Sequence, residues 1–390
     1  MFSRRTGWNL AANRFTEAVR EVLARRQEIL DLTISNPTRA AIEYDRAAIL
    51  ESLKNEESLN YDPQPKGLLS AREAVVEYYR ERGENLSPEH LVVTASTSEG
   101  YSYLFRLLAN PGDEILVPKP SYPLFDFLAD LNDLKLDPYP LIYDHGWQID
   151  FHSLERAVSE KTRAILLVHP NNPTGSYVSA EERARLNQIC AVHGTALIVD
   201  EVFLDYSHDG RIRPSFVTND DALTFTLSGL SKISALPQMK FAWIAVSGQE
   251  KLAQDAMDRL EVIADTYLSV STPVQLAAPA LLGQRGAIQP QLMARLQTNL
   301  CELDQQLERN HTCSRLDVQG GWYAVLRVPA IQPDEDLAIA LLRERSVLVH
   351  PGHFYDFPND GYLVLSLISE PRVFAQGISR ILRGINHEGH

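Results

Sequence analysis

Six short, mostly apolar runs recur through the middle of the chain, with helical spacing between them, and this alternation limits the fold more than any other feature. The runs are LVVTA (91–95), EILVP (114–118), AILLVHP (164–170), ALIVDEVF (196–203), LTFTL (223–227) and AWIAVS (242–247). Helical patterns occupy 70–82, 99–108 and 180–193. Strands alternating with helices build a mainly parallel sheet with helices on both faces, an α/β fold. Runs that are apolar throughout belong to strands covered on both sides.

Beyond about residue 280 the pattern changes. A helical stretch at 291–309 leads to GGWYAVLRVP, a helix near 334–345, then VLVHPG and YLVLSLI, which reads as a smaller α+β unit. The stretch before residue 45 has no sheet of its own. The expected division is 1–45 packing with the small unit, 46–280 as the large unit and 281–390 as the small one. A chain of 390 residues is long enough for two units sharing a cleft.

Composition narrows the partners. Lys and Arg number 37 against 51 Asp and Glu, a net charge of −14, which argues against nucleic acid or an anionic membrane. Cys190, Cys301 and Cys313 form neither a disulfide framework nor a metal motif. No histidine pair has ligand spacing, so no metal is expected, and His169, His350 and His353 suit packing or surface positions. No apolar run approaches the ~18 residues of a membrane helix. With no secretory pattern at the N-terminus, the expected location is the cytoplasm.

In an open parallel sheet, ligands bind beyond the carboxyl ends of the strands. After LVVTA come Ser96, Thr97 and Ser98, three hydroxyls opening a helix and suited either to an anion or to a simple cap. After AILLVHP comes Asn171-Asn172-Pro-Thr-Gly175, a turn. Asp200 ends a buried run and needs a cationic partner. After LTFTL comes Ser228-Gly-Leu-Ser231-Lys232.

Taken in order, these elements resemble the class I/II aminotransferase family of pyridoxal-phosphate enzymes, fold type I. The resemblance runs from about Leu32 to Gly377. It rests on Tyr61-x-Pro-x-x-x-Gly67, the hydroxyls at 96–98, Pro120-Ser-Tyr122-Pro, Asn172-Pro-Thr-Gly175, Asp200-Glu and Ser231-Lys232. It implies that Lys232 holds pyridoxal 5'-phosphate as a Schiff base and shuttles the substrate proton, while Asp200 keeps the ring nitrogen protonated. It further implies that Asn172 donates to the ring oxygen, that Tyr122 stacks on the ring, and that Ser96, Thr97, Ser98, Ser231 and Lys240 hold the phosphate. Tyr61 would reach the phosphate of a neighbouring subunit, which makes a homodimer the expected unit. The implied reaction moves an amino group between an α-amino acid and a 2-oxo acid; the alternative is a lyase catalysing β-elimination on the same fold.

The sequence departs from the family pattern at four places. Lys240 stands for an arginine on the phosphate, keeping the charge but losing the planar fork. Val364 stands for the arginine that takes the substrate carboxylate, leaving Arg372 and Arg39 as candidates. Ser35 stands for a glycine beside the substrate. Phe203 stands for a tyrosine that donates to the ring oxygen. Without that donor, the imine proton has less competition for the oxygen, so the Schiff-base pKa is expected to lie above that of tyrosine-bearing relatives. A pH titration of the visible absorbance measures it, and an imine that deprotonates as readily as theirs contradicts the expectation.

Overall fold

The run Ala196–Asp200 is buried at every residue because the two sides of the strand meet different apolar layers. Leu197 and Val199 pack with Leu116, Leu167 and Phe216, while Ala196 and Ile198 pack with Val92, Leu104 and Phe225. Side chains alternate across a strand, so one uninterrupted apolar run serves both layers. The computed structural model describes residues 1–387 except Leu124.

Eight strands form the main sheet in the order Leu91–Thr94, Ala242–Ser247, Thr224–Gly229, Ala196–Asp200, Thr162–Val168, Glu114–Lys119, Lys135–Tyr143 and Trp147–Ile149. The strands from Thr224–Gly229 through Lys135–Tyr143 are parallel neighbours. Ala242–Ser247 runs antiparallel to both of its neighbours, and Trp147–Ile149 closes the far edge antiparallel. The expected runs thus appear as strands, and the helices at Ala180–His193 and Asp334–Arg345 keep the expected bounds. Lys135–Tyr143 and Trp147–Ile149 lie outside the expected runs. Pro138 and Pro140 interrupt the first of these, and its residues are only partly buried near the sheet edge, where proline is tolerated. The helix expected at 291–309 begins earlier, at Arg285, with Pro290 inside it.

A second, antiparallel sheet is ordered Ser314–Arg315, Tyr323–Arg327, Tyr362–Ser366, His350–Pro351. Its apolar face joins one cluster with Phe15, Val22, Leu30, Leu32 and Ile42 from the N-terminal stretch and with Leu292, Leu296 and Phe374. Leu30–Asp31 pairs in parallel with Val347–Leu348, and Arg343 bridges to Glu21 at 2.8 Å.

The Asn-Pro-Thr-Gly turn joins the two sheets. The Gly175 carbonyl accepts from the Gly320 amide at 3.0 Å, and Gly175 has φ +70°. A Cβ there would lie 2.4 Å from the Gly320 carbonyl oxygen and from Val318 Cγ2. Left-handed backbone and backbone contact together exclude a side chain. Gly175→Ala is therefore expected to destabilise the fold by about 2–4 kcal/mol, the strain of the left-handed conformation plus overpacking. Thermal unfolding followed by circular dichroism tests this; an unchanged midpoint contradicts it.

Candidate active site

The parallel strands deliver their carboxyl ends to one edge of the sheet, and the antiparallel Ala242–Ser247 brings its amino end to the same edge. Asp200 ends its strand, Ser96 follows Leu91–Thr94, and Ser231 and Lys232 follow Thr224–Gly229. Together with Ser35, Thr97, Ser98, Tyr122, Asn172 and Lys240, these residues line one cavity of about 460 Å³. A larger hollow of about 800 Å³ near Trp147, Arg183 and Arg213 shares no lining residue with it. The grouping of reactive side chains, not size, identifies the site.

Asp200 is 9% exposed. Tyr101 Oη donates to its Oδ2 at 2.8 Å, and the Val202 amide donates to Oδ1 at 3.0 Å. Burial pushes the carboxyl pKa up, while these bonds and the charge of Lys232 pull it down. Among the described residues no cation lies within ion-pairing distance of this carboxylate.

Lys232 sits on a short helix, Leu230–Ile233, and carbonyls of this helix and of Ala235 just after it are held from three directions. Tyr206 Oη donates to the Lys232 carbonyl at 2.6 Å, Gln289 to that of Ile233 at 2.9 Å, and Tyr44 to that of Ala235 at 2.9 Å. The Tyr206 hydroxyl is thereby committed to backbone and does not replace the hydroxyl missing at Phe203. The ammonium nitrogen lies 4.7 Å from the Trp322 ring centre, 5.4 Å from that of Phe203, and 3.5 Å from the Ser35 carbonyl, to which it donates. Burial lowers its pKa to about 8, against a smaller raising effect from Asp200.

Ser96 caps the helix Thr97–Leu108, accepting from the Glu99 amide at 3.2 Å. The capping reading and the anion reading therefore coexist: the cap fixes the turn from which Thr97 and Ser98 face the cavity. Lys240, at φ +52°, also lines it.

Three expected residues lie elsewhere. Tyr61 is 82% exposed, in a separate depression with Asp62 and Gln275. Arg39 is exposed at the end of the short helical turn Pro37–Arg39, and Arg372 is exposed at the start of Pro371–His387; neither lines the cavity. As candidates for the missing substrate arginine, both therefore lie outside the cavity lining of this chain. Val364 itself is 1% exposed within the small-sheet cluster.

Tyr101, His350 and Tyr355 also line the cavity, beyond the expected set. Tyr101 lies one helical turn after Thr97, a spacing that places it on the same face and is legible in the sequence. His350, expected to pack or to face solvent beside the Pro351-Gly352 turn, is brought to the cavity on the strand His350–Pro351 by its pairing with Tyr362–Ser366. His169, by contrast, is structural: its ring accepts from the Val178 amide at 3.0 Å, and burial lowers its pKa to about 3.

The lining fits pyridoxal phosphate. A pyridinium nitrogen answers the unpaired buried carboxylate of Asp200. The Asn172 side-chain oxygen is buried without a partner, and rotation of the amide presents a donor to a ring oxygen instead. Hydroxyls, a helix start and Lys240 suit a phosphate.

Comparisons with known proteins agree with this geometry. The family described as Aminotransferase class I and II matches residues 27–370. The glutamate-pyruvate aminotransferase AlaA of Haemophilus influenzae is 26% identical over 364 residues, covering 91% of this chain and 90% of that protein. An alanine aminotransferase of Mycobacterium bovis is 26% identical, covering 92% and 86%. The solved structure of an alanine aminotransferase from Pyrococcus furiosus superposes with a TM-score of 0.88 at 24% identity, covering 99% of this chain and all of that one.

Condensation with an aldehyde needs the neutral amine. With its pKa lowered from 10.5 to about 8, Lys232 is mostly neutral above that pH. The rate at which cofactor-free protein captures pyridoxal phosphate, followed by stopped-flow absorbance, is expected to rise with pH with its midpoint near 8 and to level off above it. Asp200→Asn removes the raising influence and shifts the plateau to lower pH. A rate that climbs until the ordinary lysine value contradicts both expectations.

Proposed function

The chain belongs to the class I and II aminotransferases, and from that premise we propose which of its residues bind the cofactor and carry the reaction. The activity is pyridoxal-phosphate-dependent transfer of an amino group between an α-amino acid and a 2-oxo acid, and the relatives favour transamination over β-elimination. The residue assignment rests on one observation: Lys232 and Asp200 share a cavity with the strand-end hydroxyls.

When bound, pyridoxal phosphate supplies an aldehyde for the amino group and an electron-poor ring that accepts the electrons released at the substrate Cα. Lys232 would hold this aldehyde through its amine, and as a free amine it would take the proton from the substrate Cα. Asp200 keeps a proton on the ring nitrogen, and Tyr101 and the Val202 amide hold that carboxylate in place. Asn172 donates to the ring oxygen, and Tyr122 covers the ring. Ser96, Thr97, Ser98, Ser231 and Lys240 hold the phosphate.

The substrate preference is for small neutral amino acids such as alanine. No cationic side chain besides Lys232 and Lys240 lines the cavity among the described residues, so a second carboxylate lacks a receptor. The names of the relatives, alanine and glutamate-pyruvate aminotransferases, support alanine and pyruvate as one pair.

A homodimer is part of the proposal. Tyr61 and Leu59 are 82% and 88% exposed, and Tyr61 lies away from its own cavity, as a residue serving a second subunit does. We also divide the chain into 46–280 as the cofactor-binding unit and 281–390 with 1–45 as the smaller one. A cytoplasmic location rests on the sparse, unpaired cysteines.

Adding L-alanine to the holoenzyme is expected to convert the aldehyde absorbance to that of the amine form, and a 2-oxo acid is expected to reverse it. Lys232→Ala lowers the turnover by at least about 10³-fold. With L-serine, which carries a β-hydroxyl that can leave, release of pyruvate and ammonia with the aldehyde form retained would instead mark elimination.

A further inference from the structure

An aminotransferase acting on α-amino acids needs a receptor for the substrate carboxylate, and among the described residues no guanidinium lines the cavity. Val364 occupies the strand position, and Arg39 and Arg372 do not line the cavity. Lys232 and Lys240 are engaged with the cofactor. One basic side chain with hydrogen-bonding capacity to spare remains in the lining, His350.

His350 is paired directly across from Val364 in the antiparallel register of His350–Pro351 with Tyr362–Ser366. Opposed residues of antiparallel strands project to the same face, so the imidazole stands beside the side chain that replaces the arginine. It lines the cavity with Ser35, Tyr323, Tyr355 and Lys232. Its Nδ1 lies 3.1 Å from Tyr355 Oη. With the hydroxyl donating to Nδ1, the neutral ring carries its proton on Nε2, which has no hydrogen-bond partner among the described residues. The Tyr355 carbonyl accepts from the Ser121 amide at 2.9 Å, so the turn bearing both residues is tied beside Tyr122 at the cavity.

We propose that His350, with its tautomer fixed by Tyr355, is the receptor for the substrate carboxylate, a single-point imidazole site in place of a two-point guanidinium. This rests on the aminotransferase reading given above. A single donor holds a carboxylate less tightly and with less directional control than a fork. The geometry therefore assigns this enzyme to small monocarboxylic amino acids at high working concentration rather than to tight binding of dicarboxylic ones.

Two measurements on the holoenzyme test it: steady-state kinetics with L-alanine, and calorimetric titration with propionate, which offers the carboxylate without the amine. His350→Ala is expected to raise the KM for L-alanine and the Kd for propionate by roughly tenfold to a hundredfold, with kcat changed far less. His350→Gln, which restores a side-chain donor, recovers part of the loss, and Tyr355→Phe gives an intermediate effect. Binding of ethylamine, which has no carboxylate, stays unchanged in all three variants. Unaltered propionate binding in His350→Ala overturns the proposal, as does a comparable loss in Arg39→Met or Arg372→Met. Equal loss of ethylamine and propionate binding means a collapsed pocket and also counts against it. A parent enzyme inert toward every α-amino acid, yet binding propionate through His350, would fell the aminotransferase reading and leave the subsite standing.

Discussion

A carboxylate kept from water at the end of a buried strand sets the terms for the rest of this molecule. Asp200 is poorly solvated, because the layers that make Ala196–Asp200 a stable central strand close over both faces of the residues before it. Two neutral donors hold its oxygens, from Tyr101 and the Val202 amide, but they do not cancel its charge. Such a group either takes up a proton or waits for a cation. The fold around it supplies the second answer, a cavity shaped for a flat cationic ring with an anionic tail. Burial that strains one carboxylate also lowers the basicity of the neighbouring lysine, so one dry pocket prepares an acid partner and a nucleophile together.

The large sheet, and the clustering of reactive side chains at its edge, were legible in the sequence because both depend on local order. An apolar run announces a doubly covered strand, and the residues just after the run are those that stand at the sheet edge. That logic places Ser96, Asn172, Asp200 and Lys232 in one cavity without any knowledge of distance. It fails at Lys135–Tyr143, where prolines and partial exposure erase the pattern of a strand near the edge. It also fails for the substrate end of the site. Arg39 and Arg372 are suitable as residue types, but suitability is decided by which way an element points. His350 is delivered by cross-strand register in the small sheet, and register between segments distant in sequence is not written in either segment alone.

Glycine and tyrosine show how the two sheets stay in step. Gly175 permits the turn after Thr162–Val168 to touch the backbone before Trp322, and Trp322 in turn floors the lysine amine. Phe203, packed edge-on against Trp322, completes the same wall. The hydroxyl absent at that position is thus exchanged for aromatic packing, and the nearby Tyr206 is spent on backbone.

The backbone that carries the lysine is gripped by side chains from the loop after Asp200, from the N-terminal stretch and from the long helix Arg285–Glu308. Reactivity at the amine is consequently a distributed property. Residues such as Tyr44 and Gln289, absent from the cavity lining, act as remote tuning points: laboratory evolution aimed at a faster or more tolerant catalyst has handles on the nucleophile there that leave every cofactor contact intact.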